Sequence, residues 1–423
     1  MNIESIKIIK PKFLYSVILK SILTKKILSR IDAKNLNNIP VPRTVIKNPV
    51  NFEGILSFIK KIISRKYTYW SPKTLEVIVL YNRIMSDWIQ NIPKSVLHDH
   101  LDGGLRVETL LDLAQLQGYS KLPTTKKDEL LKWIEPKPNK TLAINLEAWD
   151  HTIAVMQDTN SIYRVTMEAL QDLANDGVVY AELRFAPLVH CQTGLKPKEV
   201  VNAVLNGIKD GTEKYGILSG AILCAMRHLN NSKKVVNLCI ENNDVLAFDL
   251  AGPEVGFSAL NHKEAIEIAH RNNIRITLHA DWEVPEGIHE VILDLNAARI
   301  GHGSQIINDY AKSDKGLIFK NPAAKYVHEN RIPLELCPTS NMQCGSCNSI
   351  SEHPFKELFD DGFNVTINTD NRLMSNTTMS QEVSNLVDCF SFSKEEILQI
   401  TINTIKAGFV EKSKRDKLIE SIK

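Results

Sequence analysis

"VLHDHLDGGLR", residues 96–106, runs from apolar residues into a dense group of polar side chains and then into two glycines. Polar groups at the end of a buried strand are costly unless something pairs with them. Residues two apart in a strand point to the same side, so His98 and His100 can face one common partner. The stretch therefore predicts a metal site whose remaining ligands come from elsewhere in the chain.

Eight short β-prone runs alternate with helix-length amphipathic segments, and they cover residues 95–102, 178–187, 219–227, 245–252, 275–280, 299–303, 333–338 and 364–370. This alternation predicts βαβ units and a parallel sheet, and eight units predict an α/β fold of the (β/α)8 TIM-barrel type. Polar residues lie at the carboxyl ends of the runs, where such barrels have their active sites. They are His98, His100, Arg184, Arg227, Asp249, His279, His302 and Asp370.

Charge is unevenly distributed along the 423 residues, whose net charge is +2. Residues 1–66 contain 14 Lys/Arg and three Asp/Glu, which leaves 37 basic and 46 acidic residues beyond residue 66. "IKNPVNFEG", residues 46–54, has the composition of a linker. We predict a basic N-terminal extension over residues 1–90, mostly helical or flexible, and a barrel domain over residues 91–423.

The basic leader is interpreted as an accessory extension. A transit peptide, a membrane-surface arm and a nucleic-acid arm are the alternatives. The acidic excess of the remaining chain would repel a phosphate backbone, so we expect no nucleic-acid partner. No apolar run approaches the roughly 20 residues that span a bilayer, so we expect no transmembrane segment.

Seven scattered cysteines are an odd set, which argues against a disulfide framework and for a reducing compartment. We therefore expect a cytoplasmic protein, although the basic leader leaves targeting to an organelle open. The sequence does not determine the oligomeric state.

A metal site can be assembled from the ends of three predicted strands. His98 and His100 end the first strand, His279 ends the fifth and Asp370 ends the eighth. Three imidazoles and one carboxylate suit Zn²⁺ and leave a coordination position for water. The residues therefore predict a zinc cofactor.

The order of the motifs resembles that of adenosine deaminases in the metal-dependent amidohydrolase superfamily, and the resemblance extends over about residues 92–408. The motifs that carry it are "LHDHLDGGLR", "YAELRFAP", "FDLAG", "TLHA", "RIGHG", "LELCPTSNMQ" and "INTDNRLMS". The resemblance implies zinc-dependent hydrolysis of adenosine or 2′-deoxyadenosine to the inosine form, with release of ammonia. The expected partner is thus a small purine nucleoside. A deaminase of adenine, AMP or a methylthio derivative is the neighbouring alternative.

The resemblance also implies residue roles. His98, His100, His279 and Asp370 correspond to the zinc ligands. His302 corresponds to the histidine that orients or deprotonates the attacking water. Substrate contacts are expected from His100, Asp102, Gly252 and Asn371. Many relatives have aspartate at the position of Asn371, but an asparagine amide can still donate a hydrogen bond to N7 of a purine.

The proton donor departs from the family pattern. A glutamate usually stands three residues after the fifth-strand histidine, and here "HADWE" places Trp282 at that position. Glu283 follows one residue late, and we predict that it is the donor to N1 of the purine. Asp281 is the second hypothesis. In the third, the donor is absent and the protein is a weak or silent purine- and zinc-binding relative, because losing a general acid typically costs about 10²–10⁴-fold in rate.

Overall fold

The computed structural model describes residues 88–135, 142–280 and 287–423, without the side chains of residues 142–146. Nearly all of the basic extension predicted over residues 1–90 lies outside the described residues. Its helical or flexible character and its boundary therefore stay predictions.

Eight parallel strands form one sheet in the described part of the chain. In their order across the sheet, they are β1 (Lys94–His100), β2 (Val178–Phe185), β3 (Leu218–Met226), β4 (Val245–Ala251), β5 (Arg275–Ala280), β6 (Arg299–His302), β9 (Pro333–Leu336) and β10 (Asn364–Ile367). Each overlaps a run predicted from the sequence, and their ends differ by at most three residues. Every residue of β1 is buried, as expected for strands covered by helices on one side and by a filled barrel on the other.

The sheet closes on itself where the last strand meets the first. Asp99 forms an isolated parallel bridge with Asp370, just beyond β10. The His100 N–H donates to the carbonyl of Asp370 at 2.6 Å, and the Asp370 N–H donates to the carbonyl of His98 at 2.9 Å. These two bonds complete a (β/α)8 barrel and fix the backbone of Asp370 beside the two histidines of β1.

The helices surround this barrel, and those between the strands supply its outer layer. They are α1 (Val107–Leu116), α2 (Lys127–Ile134), α3 (Leu142–Ala154), α4 (Thr159–Asn175), α5 (Pro197–Tyr215), α6 (Ser232–Glu241), α7 (Lys263–Arg271), α8 (Gly287–His289), α9 (Pro322–Glu329), α10 (Pro338–Gln343), α11 (Phe355–Asp360), α12 (Met379–Phe390), α13 (Lys394–Ala407) and α14 (Lys412–Ile422). Local sequence sets several of their ends. Helix α4, for example, begins where the Asp158 side chain accepts a hydrogen bond from the Ser161 N–H.

Two features were not predicted from the sequence. A short antiparallel hairpin, β7 (Tyr310–Ser313) and β8 (Gly316–Phe319), lies between β6 and β9. The chain after α13 covers the amino ends of the strands. There Arg299, the first residue of β6, donates to the carbonyl of Ala407 and stacks on the ring of Phe409. The opposite, carboxyl end of the barrel remains for the active site.

Within the described residues, no helix combines the length and apolar character that crossing a membrane requires. None of the seven cysteines takes part in a disulfide, in agreement with the prediction from their number and spacing.

Candidate active site

The side chains of His98, His100, His279 and Asp370 converge at the carboxyl end of the barrel. Nε2 of His100 lies 3.1 Å from Nε2 of His279. Oδ1 of Asp370 lies 3.4 Å from Nε2 of His98 and 3.4 Å from Nε2 of His100. The structure thus brings together the four residues that the sequence predicted as ligands.

These separations fit a shared metal ion. With Zn–N and Zn–O bonds of about 2.0–2.2 Å, tetrahedral ligand atoms lie about 3.4 Å apart. Nε2 of His98 is fully buried and makes no hydrogen bond within the described part of the chain. Acceptor atoms this close repel one another unless a proton or a metal cation lies between them. The donor set therefore matches a zinc ion in both chemistry and spacing.

Carboxylates behind two of the rings determine which nitrogen is protonated. Nδ1 of His98 lies 3.1 Å from Glu335, and Nδ1 of His279 lies 3.1 Å from Asp249. A carboxylate only accepts, so each Nδ1 carries the hydrogen and each Nε2 keeps a lone pair directed at the shared centre. This carboxylate–histidine arrangement is typical of metal sites.

The same carboxylates belong to a fully buried charge network inside the barrel. Arg184 pairs with Asp249 at 2.8 Å and with Glu335 at 2.6 Å. Arg299 pairs with Glu335 and with Glu182, both at 2.6 Å. Together with Asp370, this interior has two more carboxylates than guanidinium groups. A divalent cation would balance that excess.

The pKa values follow from burial and from these charges. Burial lowers the pKa of His100 to about 3 and also lowers the pKa of His279, so both rings stay neutral near pH 7. At His98, burial and Arg184 lower the pKa, but the nearby Asp370 and Glu335 carboxylates raise it overall. These carboxylates attract positive charge to this position.

Asp370 and His302 both have left-handed backbone conformations, with φ of 58° and 65°. Such conformations are uncommon outside glycine and persist where the surrounding structure enforces them, often at functional sites. Ser340 on α10 donates to Oδ2 of Asp370 at 2.5 Å and leaves Oδ1 facing the histidines. The strain is held in place by specific contacts.

His302 lies beside the four converging residues. Its ring centre is 4.8 Å from that of His98 and 5.3 Å from that of His279. His302, His98, His279 and Asp370 also form a set whose possible ligand atoms lie within 4.8 Å of one another. Distance alone therefore admits either His100 or His302 as the fourth ligand. We favour His100, because its contacts of 3.1 and 3.4 Å match the expected ligand spacing more closely.

A cavity of about 370 Å³ opens onto this cluster, which is within the size range of small-molecule sites. Its lining includes the apolar side chains of Trp149, Ile153, Val189, Met226 and Met374. It also includes the predicted residues His100, Asp102, Gly252, His279, His302, Asp370 and Asn371. The structure thus places the predicted substrate contacts and three of the four predicted ligands, His100, His279 and Asp370, around one space.

Asp102 is held firmly at the wall of this cavity. Its Oδ2 accepts a hydrogen bond from the Ala186 N–H at 3.1 Å and lies 3.5 Å from Nε2 of His190. Burial would raise the pKa of Asp102, but interaction with His190 outweighs it and lowers the pKa. Its Oδ1 is buried without a hydrogen-bond partner among the described residues. A hydroxyl group of a ligand could satisfy that oxygen.

Close packing surrounds Asn371 and Gly252. Oδ1 of Asn371 is buried without a partner in the described part of the chain. A Cβ on Gly103 would come within 2.4 Å of this oxygen and 2.9 Å of Trp149, which explains the first glycine of "DGG". Gly252 has φ of +94°, where a side chain would be strained. Its backbone can therefore approach a ligand closely.

Asp281, Trp282 and Glu283 lie outside the described residues. The choice between Glu283 and Asp281 as proton donor therefore stays as open as the sequence left it. The segment 281–286 that contains them follows Ala280, the last residue of β5, and precedes Gly287, the first residue of α8.

The comparisons with known proteins agree with this site. A family model described as adenosine deaminase matches residues 93–423. The chain belongs to the adenosine deaminase family. A protein named adenosine deaminase from Mycobacterium marinum is 43% identical over 346 residues, which cover 79% of this chain and 95% of that protein. This membership makes the chain an aminohydrolase enzyme.

Two solved structures extend the comparison beyond sequence. An adenine deaminase from Arthrobacter aurescens shares the fold with a TM-score of 0.71 at 24% identity, covering 78% of this chain and 98% of its own. The N6-methyl-AMP deaminase from Arabidopsis thaliana superimposes with a TM-score of 0.67 at 27% identity, covering 80% and 98%. Members of this fold thus act on aminopurines of different sizes.

The sequence analysis gave no role to several residues that contact the predicted ligands and His302 in this candidate active site. Glu335, Ser340 and Asn341 all lie in the motif "LELCPTSNMQ", whose polar residues received no roles. The signal for Glu335 was a carboxylate inside an otherwise apolar strand, which is costly unless paired. Trp149, on α3, carried no comparable signal. Its ring stands edge-on to His100 at 5.8 Å.

Proposed function

We propose that this chain hydrolyses adenosine or 2′-deoxyadenosine to inosine or 2′-deoxyinosine, releases ammonia and uses one zinc ion. The observation that carries the proposal is the convergence of His98, His100, His279 and Asp370 at 3.1–3.4 Å on one side of a nucleoside-sized cavity. The relatives named adenosine deaminase support the same reaction.

In this reaction a water oxygen adds to C6 of the purine and N1 gains a proton. The second proton of that water passes to the amino nitrogen, the bond between C6 and this nitrogen breaks, ammonia leaves, and the oxygen remains as a carbonyl. Zinc held by the four residues would act as a Lewis acid and lower the pKa of water to about 7. His302 would hold a proton near the attacking oxygen, and Glu283 would deliver a proton to N1.

Substrate contacts follow from unsatisfied groups in the cavity. Oδ1 of Asp102 would accept a hydrogen bond from a ribose hydroxyl. The amide N–H of Asn371, which lines the same cavity, would donate to N7 of the purine. The Trp149 ring and the Met226 side chain would cover the apolar faces of the base and sugar. Asp102 thus favours a nucleoside over a free base, because adenine would leave its oxygen without a partner.

The cavity also disfavours a nucleotide. Within the described residues its lining contains no lysine or arginine, whereas Asp102 and Asp150 contribute carboxylates. Phosphate recognition normally uses Arg or Lys, and a phosphate beside these carboxylates would be repelled. We therefore place AMP and N6-methyl-AMP below adenosine as substrates of this chain.

Ammonia release from a panel of aminopurines tests the proposal. The zinc-loaded full chain is incubated with adenosine, 2′-deoxyadenosine, adenine, AMP, N6-methyl-AMP and methylthioadenosine. We expect turnover of the first two, with a much lower kcat/KM for the charged compounds. Turnover of AMP alone would overturn the substrate assignment. Binding of purine and zinc without ammonia from any compound would identify a silent relative.

A further inference from the structure

Asn341 lies between two buried histidines at the edge of the candidate site. Its Nδ2 is 3.1 Å from Nδ1 of His302, and its Oδ1 is 3.2 Å from Nε2 of His353. All three residues are buried, with Asn341 1% exposed. Neither Asn341 nor His353 belongs to the lining of the cavity or to the metal cluster, so the reaction as described leaves both without a role.

Two backbone N–H groups fix the direction of the hydrogen bonds that link His353, Asn341 and His302. The Cys337 N–H lies 3.1 Å from Oδ1 of Asn341, and the Phe355 N–H lies 3.2 Å from Nδ1 of His353. A backbone N–H only donates, so the atom of Asn341 beside Cys337 must be the oxygen. By the same argument Nδ1 of His353 accepts, which leaves its Nε2 as the donor to that oxygen. The contacts of Cys337 and Phe355 thus give the same direction independently.

The direction determines the tautomer of His302. The amide nitrogen of Asn341 must point its hydrogen at Nδ1 of His302, so Nδ1 accepts. The neutral ring then carries its proton on Nε2. This is the reverse of His98 and His279, whose Nδ1 atoms donate to carboxylates and whose Nε2 atoms stay bare. The groups behind these rings thus distinguish the candidate ligands His98 and His279 from His302, because a protonated nitrogen cannot coordinate a metal.

We propose that Asn341 and His353 are positioning residues that hold His302 as the Nε2–H tautomer, so that His302 donates a hydrogen bond to the attacking oxygen instead of accepting its proton. The inference rests on the proposed deamination for the identity of that oxygen. The opposite tautomer would place two N–H donors 3.1 Å apart. Turning the Asn341 amide to relieve this would set its NH₂ group against the N–H of Cys337 and the Nε2–H of His353.

The ¹⁵N chemical shifts of the imidazole nitrogens test the tautomer directly, without substrate. The full, zinc-loaded chain is labelled with ¹⁵N-histidine, and His302 is assigned by the signals lost in His302→Gln. We expect a protonated Nε2 and an unprotonated Nδ1 for His302. Detection of the proton on Nδ1 in the native chain would overturn the proposal.

Asn341→Asp tests the cause, because a carboxylate accepts where the amide donated. We expect the proton of His302 to move to Nδ1, kcat on adenosine to fall at least about 10-fold, and KM and zinc content to stay within about twofold. Asn330→Asp makes the same chemical change at an exposed position and should behave as the native chain. A native ¹⁵N pattern together with native kcat in Asn341→Asp would contradict the proposal.

His353 offers a rescue experiment. His353→Gln keeps an N–H donor for Oδ1 of Asn341, whereas His353→Leu removes it. We expect kcat to fall in the leucine variant and to recover at least partly in the glutamine variant, with zinc retained in both. Equal kcat in the two variants would show that His353 does not help to position Asn341 and His302. If no aminopurine is deaminated while the ¹⁵N pattern is as expected, the proposed function fails and the tautomer assignment stands.

Discussion

Nδ1 of His279 lies 3.1 Å from Oδ1 of Asp249, and Arg184 holds the second oxygen of that carboxylate at 2.8 Å. The three residues come from β5, β4 and β2, so contacts across the barrel interior orient a candidate metal ligand. Because Asp249 can only accept, it turns the lone pair of Nε2 towards His100. Affinity for a metal should therefore depend on residues that never touch it.

Asp249→Asn should weaken zinc binding about 10- to 100-fold, because the carboxylate that orients His279 and raises its basicity is lost. Chelator competition on the folded protein measures the affinity. Asp244→Asn is the matched control, since Asp244 is exposed just before β4. Unchanged affinity in Asp249→Asn would show that the orientation of His279 does not depend on this carboxylate.

The purified protein should contain about one zinc per chain, and His279→Ala should lose it, because three remaining ligands no longer complete the tetrahedral set. Elemental analysis after dialysis gives the stoichiometry. His270→Ala removes an exposed histidine of α7 and should keep the full zinc content. A native protein that binds no divalent metal even after reconstitution with zinc would defeat the metal assignment.

His302→Ala should keep nearly all of its zinc and lose about 10²–10³-fold in kcat, since the ring would no longer donate a hydrogen bond to the attacking oxygen. Zinc content and ammonia release are measured on the same preparation. Parallel loss of zinc and activity would instead make His302 a ligand, as its membership of the set within 4.8 Å allows by distance.

Glu283→Gln should keep zinc and purine binding and lower turnover at least about 100-fold, the lower end for a lost general acid. The period of two along a strand predicts, from the sequence, that a carboxyl group at residue 281 points to the same side as His279, where the ligands already crowd the space. Glu283 follows His279 by four residues in the sequence, and we expect its longer side chain to reach N1 of the purine. Asp281→Asn is the matched control. Loss of turnover in Asp281→Asn with native turnover in Glu283→Gln would reverse the assignment.

A chain that starts at Tyr67 should retain native turnover, because the basic leader lies outside the family match over residues 93–423. Circular dichroism and zinc content establish that the shortened protein is folded. Normal folding and zinc content with lost activity would show that the leader contributes to the site.

Much of the barrel could be predicted because its signal is local. Each strand is a short, mostly apolar run of four to nine residues between helical segments, and polar residues stand where it ends. His98 and His100 follow the period of two, and their shared direction in the structure confirms it. The hairpin Tyr310–Ser313 and Gly316–Phe319 was missed because its short, largely exposed strands carry a weak hydrophobic pattern.

The fold class and the residue types of the site follow from the sequence, because periodicity and strand-end polarity are properties of neighbouring residues. The partners behind those residues follow only from the folded barrel, which brings distant parts of the chain together. Glu335 meets His98 across 237 residues, and Asn341 meets His302 across 39. A linear pattern cannot encode whether the group behind an imidazole is a carboxylate or an amide. That difference, created by barrel closure, sets which nitrogen carries the proton and therefore what each histidine can do.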